Sequence, residues 1–189
     1  GDDSEFLWWR SRMLGGRTNH WGRYSLRFSE HDFKGKSRDG LGADWPFEYK
    51  DLAPWYDKTE SLVGVCGTNT GLDDMPDSSE GILQPPPKAR VPELLVSAAA
   101  KKLGIATAPM HRAVLTRPKD DRQACFYATP CGHGCSIGAA FQTTTSLIPM
   151  AKKTGNLKII TDAMVREVNV DESGKVNALT YVDKKTGQD

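Results

Sequence analysis

Gly15-Gly16-Arg17-Thr18-Asn19-His20-Trp21-Gly22-Arg23 is the stretch on which the reading of this chain turns. Paired glycines let the backbone take left-handed conformations and approach a planar or phosphorylated ligand with no Cβ in the way. Thr18, Asn19 and His20 follow with three short hydrogen-bonding side chains, and Trp21 adds a broad apolar face with one N–H donor. A glycine turn leading into a half-buried aromatic is the structural alternative. The density of polar and aromatic groups around the glycine pair points to a ligand.

Outward from this bend the chain is punctuated by proline and glycine. Residues 23–47 read mostly as loop. Asp51 occupies an N-cap position, and Leu52, Trp55, Tyr56, Thr59, Leu62 and Val63 recur at helical spacing until Gly64 stops them, with Pro54 in the first turn. From Cys66 to Lys88, with Pro85-Pro86-Pro87, the composition is that of a long surface loop. Pro92 opens a second helix, Glu93 to Leu103, closed by Gly104, whose buried side would be Val91, Leu94, Leu95, Ala98, Ala99 and Leu103. Residues 105–124 read as short extended pieces broken at Pro109 and Pro118. A third helix, with Pro149 in its first turn, runs to Lys153 and ends at Gly155. The period then changes. Leu157–Ile160, Met164–Val170 and Lys175–Val182 alternate as strands, with Asp171-Glu172-Ser173-Gly174 as a turn, and predict a three-stranded antiparallel meander.

Composition narrows the function. The 189 residues carry 25 basic and 24 acidic side chains, a net charge of +1 with no basic block, which argues against nucleic acid as partner. No apolar run reaches the length that spans a bilayer. No secretory leader is read after Gly1-Asp2-Asp3, which leaves cytoplasm and periplasm both open. A meander of this size is rarely stable alone, so the chain reads as a section of a longer protein.

Gly15–Arg23 resembles the flavin-contacting loop of the glucose–methanol–choline (GMC) oxidoreductase family, in which a Gly-Gly-x-Ser/Thr-x-x-Trp-like stretch runs beside the isoalloxazine ring. The resemblance continues through Asp44-Trp45-Pro46-Phe47, Tyr49-x-Asp51-Leu52-x-Pro54-Trp55-Tyr56, Glu60-x-x-x-Gly64-Val65-x-Gly67 and Gly134-Cys135-x-x-Gly138-Ala139, and so covers nearly the whole chain. It implies an FAD cofactor contacted by Gly15, Gly16, Thr18, Asn19, His20 and Trp21, with the adenine against the backbone near Val165. It implies hydride transfer from the CH–OH carbon of an alcohol or sugar to flavin N5. Asn19-His20-Trp21 is also similar to stretches in which a histidine bonds covalently to the flavin; a histidine that only hydrogen-bonds nearby is the alternative. Arg10, Arg12, Arg17, Arg23 and Arg27 would then either stabilise an anionic flavin or its phosphates, or form a solvated face with Glu30 and Asp32. The family's G-x-G-x-x-G phosphate loop has no counterpart here, since Gly132-x-Gly134-x-x-Ile137-Gly138 fails in spacing. The family's catalytic histidine is expected outside these residues, so none of His20, His31, His111 or His133 is assigned as base, and the isolated chain is expected to be inactive.

Cys125-x5-Cys131-x3-Cys135 is the second constellation. Laid on the ferredoxin spacing C-x2-C-x2-C-x3-C, it keeps the first, third and fourth positions and has Ala128 at the second, a pattern that suits a [3Fe–4S] cluster. The same spacing resembles the cluster loop of the iron–sulfur-containing sugar dehydrogenase branch of the family, which would pass electrons to an acceptor protein. Zinc, a disulfide and buried free thiols remain open. The expected architecture is α+β: a flavin-contacting segment over 1–47, a helical and loop-rich cap over 48–155, and the meander over 156–189, all within a larger FAD-binding α/β enzyme. A metal-binding or electron-transfer module built on the cysteines, and a non-catalytic structural domain, are the readings from other classes.

Overall fold

The computed structural model describes residues 10–127 and 131–189; the Phe6–Trp9 run and Ala128 lie outside the described residues. The chain divides into two compact units, Gly1–Met150 and Ala151–Asp189.

In the first unit, α1 (Glu30–Phe33) and α2 (Gly35–Asp39) occupy part of what the sequence suggested was loop. Asp32 starts α1 by accepting hydrogen bonds from the Ser29 amide (2.6 Å) and hydroxyl (3.0 Å). Phe33 is fully buried among Phe28, Trp45 and Phe47, with ring centroids 5.7–6.2 Å away. That cluster accounts for the Asp44–Phe47 motif: Trp45 N–H also bonds Phe33 C=O (2.9 Å), and the Asp44 carboxylate accepts from Ser37 N–H (3.0 Å).

α3 (Tyr49–Val63) begins earlier than expected. Glu48 is its N-cap, and Asp51 sits one turn inside, where its carboxylate reaches back to the Glu48 amide (2.9 Å). An aspartate serves either position, so the residue type alone did not separate them. α4 (Val91–Lys102) has Pro92 in its first turn, but the side taken as buried faces outward: Leu94, Leu95 and Leu103 are 56–76% exposed. Helical spacing identifies an apolar side without supplying what covers it.

The core is Val63, Val65, Ala113 and Phe141, with Trp21, Leu83 and Leu147 packed against it. Around it, backbone segments too short to be strands are stitched by isolated bridges. Cys66 pairs with both Gln84 and Arg112, Arg112 with Tyr24, and Val114 with Ala140. The Cys66–Lys88 stretch is therefore not simply a surface loop, since Cys66 is 1% exposed and burial pushes its thiol pKa up.

Arg27, buried between α3 and the loop at 78–79, ties this unit together. Its guanidinium donates to both oxygens of Glu60 (2.9 and 2.6 Å), to Asp57 and to the Tyr49 hydroxyl (3.0 Å). Ser78 Oγ adds a bond to Glu60 (2.7 Å), and Ser79 Oγ one to Asp57 (2.6 Å). Burial pushes the Asp57 carboxyl up, but the bonds from Ser79 and Arg27 outweigh it and hold the pKa below its usual value near 3.8. A depressed carboxyl stabilises the fold above its unfolded value and loses that contribution as pH falls through the folded one. Unfolding free energy should hold down to about pH 4 and then drop; denaturant titrations across pH 2–5 should give a shallower acid drop in Asp57→Asn than in the parent.

The second unit is a hairpin of β1 (Ala163–Val170) and β2 (Val176–Asp183), antiparallel, with a register shift between Val165 and Glu167. The turn falls where expected: Asp171 accepts from the Ser173 amide (2.9 Å) and the Lys175 amide (3.0 Å), and Gly174 takes φ +78°. The expected third strand does not form. The sheet has two strands, and Asp162, at φ +56°, breaks the extended backbone between the Leu157–Ile160 run and β1. α5 (Leu147–Lys153) is shorter than its pattern suggested, with Pro149 in its first turn.

Candidate functional site

The glycine bend is a 3-10 turn, Gly16–Asn19, entered through Gly15 at φ +89° and followed by Gly16 at φ +50°. A Cβ on Gly15 would stand 2.7 Å from Asn19 Oδ1 and 2.9 Å from Thr144 Cγ2, so that position admits only glycine. A Cβ on Gly16 would meet no atom of the described residues within 4 Å. The two glycines thus do different things: one lets the chain fold back on itself, and the other leaves backbone bare toward open space.

Behind the bend lies a segment that the sequence reading passed over, Phe141–Thr144. Thr18 Oγ1 donates to Gly15 C=O (2.6 Å), stands 2.9 Å from Thr143 Oγ1 and accepts from Thr143 N–H (3.2 Å). Asn19 Nδ2 donates to Leu14 C=O (2.8 Å), while Asn19 Oδ1 accepts from Thr144 Oγ1 and Asn19 C=O from Gln142 Nε2, both at 3.2 Å. Trp21 Nε1 donates to Phe141 C=O (3.3 Å), and the two rings meet edge-to-face at 6.2 Å. The available signal was the Gln142-Thr143-Thr144-Thr145 run, four hydrogen-bonding side chains before a helix. Thr18, Asn19 and Trp21, expected to face a ligand, therefore use their polar atoms to brace the bend from within. His20, half-buried, closes the turn with its amide on Arg17 C=O (3.1 Å).

Of the five arginines, Arg23 and Arg27 are buried and Arg10, Arg12 and Arg17 are not. Arg27 is neutralised by Glu60 and Asp57. Arg23, 1% exposed, is solvated by carbonyls among the described residues: it donates to Asn19 C=O (3.0 Å), Trp21 C=O and Cys131 C=O (2.8 Å). Burial lowers its pKa, and the neighbouring Cys131 and Cys135 thiols oppose that. Arg23 is thus the link between the bend and the cysteine loop.

Among the described residues no group of three His, Cys, Asp or Glu side chains is placed to hold a metal ion, so the ligand set Cys125, Cys131, Cys135 is not assembled. Cys125 Sγ accepts from Tyr127 N–H (3.2 Å), Cys135 Sγ from Ala140 N–H (3.4 Å), and Cys131 opens a short 3-10 turn, Cys131–His133. Cys125 and Cys135 are each held by a nearby amide, and the described thiols are not placed as the ligand set of an iron–sulfur cluster. Among the described residues no disulfide joins the cysteines, and Cys66, Cys125 and Cys131 line one cavity of about 660 Å³. Val165, in the second unit, pairs with Tyr181 and is 56% exposed.

A model of the GMC oxidoreductase family matches residues 2–189. The chain belongs to the GMC oxidoreductase family. It is 32% identical to the fructose dehydrogenase large subunit of Gluconobacter japonicus, over 90% of this chain and 31% of that protein. It is 31% identical to 6'''-hydroxyparomomycin C oxidase of Streptomyces lividus, over 95% of the chain and 33% of the relative. It is 30% identical to 2-methyl-1,2-propanediol dehydrogenase of Mycolicibacterium austroafricanum, over 92% and 31% respectively. The chain spans about a third of the length of these relatives. Within this GMC oxidoreductase, no helix among the described residues is long and apolar enough to cross a membrane.

Proposed function

We propose that this GMC oxidoreductase chain is the flavin-facing section of an FAD-dependent enzyme that oxidises the CH–OH group of an alcohol or sugar. The observation that carries the reading is the bend itself, braced by Phe141–Thr144 on one side and bare at Gly16 on the other. A flat ring needs such a surface: rigid, with peptide rather than side chain at the contact. The donor set fits FAD on that ground. When bound, FAD supplies the hydride acceptor; the chain's part is to hold and orient it.

Gly15 fixes the direction of the turn, Gly16 offers its backbone, and Thr18, Asn19 and Trp21 keep the turn from deforming. Relatives named as fructose and 2-methyl-1,2-propanediol dehydrogenases support a hydroxyl-bearing substrate. No step is routed through the cysteine loop, whose thiols are not grouped to hold a metal among the described residues.

The test is Gly16→Leu in the full-length protein. A side chain at Gly16 has room in the absence of ligand, so the protein should fold, at about 1–2 kcal/mol for the left-handed backbone. Flavin affinity, read from visible absorbance retained through desalting at graded protein concentration, should fall at least about tenfold. Unchanged flavin retention would show that nothing lies against the bend.

A further inference from the structure

The cavity beside the cysteines has a charge pattern that a neutral alcohol or sugar does not call for. Lys88, Arg90, Arg112 and Arg117 all line it, against the single carboxylate of Glu93. Glu93 is engaged, accepting the Arg90 amide at 2.6 Å as it starts α4. Among the described residues none of the four cations is in a salt bridge. The Arg112 guanidinium bonds Gly22 C=O (3.2 Å) and lies over the Tyr24 ring, and its buried Nε has no hydrogen-bond partner. Pro85, Pro86, Pro87, Val114 and the Tyr127 ring give the wall a stiff apolar part, beside Thr116 and the three thiols. Tyr127 is pinned by its hydroxyl, which accepts from the Lys88 amide at 2.8 Å, with the Arg90 guanidinium over its face at 5.8 Å.

We propose that this cavity binds a small organic anion, a carboxylate carried on an apolar body. Cations without a carboxylate partner among the described residues, set around a concave, low-dielectric wall, raise the local concentration of anions, and guanidinium groups match a carboxylate edge with paired N–H donors. Prolines and an aromatic face cover the body at little entropic cost, because proline has no rotamers to freeze and the Tyr127 ring is already held by its hydroxyl. A volume of about 660 Å³ suits a molecule of that size. The inference does not depend on the flavin reading, since none of these residues belongs to the bend.

Isothermal titration of the full-length protein with benzoate, and with benzamide as its uncharged counterpart, tests the assignment. Benzoate should bind, benzamide at least about tenfold more weakly, and benzoate affinity should fall as salt rises. Arg117→Ala, which removes an exposed side chain with no internal bond, should weaken benzoate about five- to tenfold, and Lys88→Ala should do the same. Absence of benzoate binding, equal binding of benzamide, or affinity unchanged in the Arg117→Ala, Lys88→Ala double variant would each overturn the proposal. Flavin content, measured on the same preparations, reports separately on the bend: flavin-free protein that binds benzoate upholds this site and rejects the other reading.

Discussion

Arg27→Ala is expected to lower the unfolding free energy by about 3–5 kcal/mol, the largest loss from any single side-chain truncation considered for this chain. The cost does not come from an attractive pair being lost in water. Glu60 has a 5% exposed side chain, and removing Arg27 leaves its carboxylate with Ser78 Oγ as its remaining side-chain donor. A buried carboxylate without its cation must protonate or draw water in, and either reaction destabilises the native packing. The same truncation frees Asp57 and the Tyr49 hydroxyl, and removes the cation over the Tyr56 ring at 5.4 Å. Urea unfolding of Arg27→Ala, Glu60→Gln and the double variant separates these contributions. If stranded charge is the cause, the double variant is more stable than the sum of the single losses requires, by about 1–3 kcal/mol. Strict additivity would refute it.

Gly64→Ala should cost about 2–5 kcal/mol, from two sources that a control can separate. Gly64 ends α3 at φ +80°, a backbone that an alanine adopts at about 1–2 kcal/mol. The added Cβ would also stand 2.2 Å from Leu115 Cδ2, and Leu115 is wholly buried. The clash falls on a close-packed side chain, adding about 1–3 kcal/mol of overpacking. Gly40 shares the left-handed φ, +78°, with ψ 0° where Gly64 has 76°, and among the described residues nothing lies within 4 Å of its Cβ. Gly40→Ala should therefore lose only a left-handed-backbone cost, and a clearly larger fall in melting temperature for Gly64→Ala reports the packing part. Equal losses would mean that Leu115 moves aside without cost.

Both positions bear on how much of the chain could be read in advance. Gly64 and Glu60 were visible as parts of a family-like motif, but the reason for that motif was not. Glu60 is there to meet Arg27, 33 residues earlier, and Gly64 to let Leu115 approach, 51 residues later. The bend was legible as backbone meant to be bare, and the bareness falls on Gly16; Gly15 is glycine because Asn19 and Thr144 leave no room. The bracing by Thr143 could not be seen, because its partner Thr18 is 125 residues away and nothing local pairs the two. The cysteine spacing suggested a common ligand, whereas Cys125 and Cys135 each accept from a nearby amide and the described thiols are not grouped to hold a metal.

What the amino-acid order decided alone were features set within one turn of backbone. These are the stop of α3 at Gly64, the proline opening α4, and the Asp171–Gly174 reversal between β1 and β2. Dihedral preference and nearest-neighbour hydrogen bonds act over a few residues and need no knowledge of the rest of the chain. Tertiary structure alone decided that α4 leaves its leucines exposed, that Leu157–Ile160 finds no strand to pair with, and that one arginine of five is buried without a carboxylate. Burial and pairing depend on which distant segments arrive at the same place, and side-chain periodicity carries no record of that.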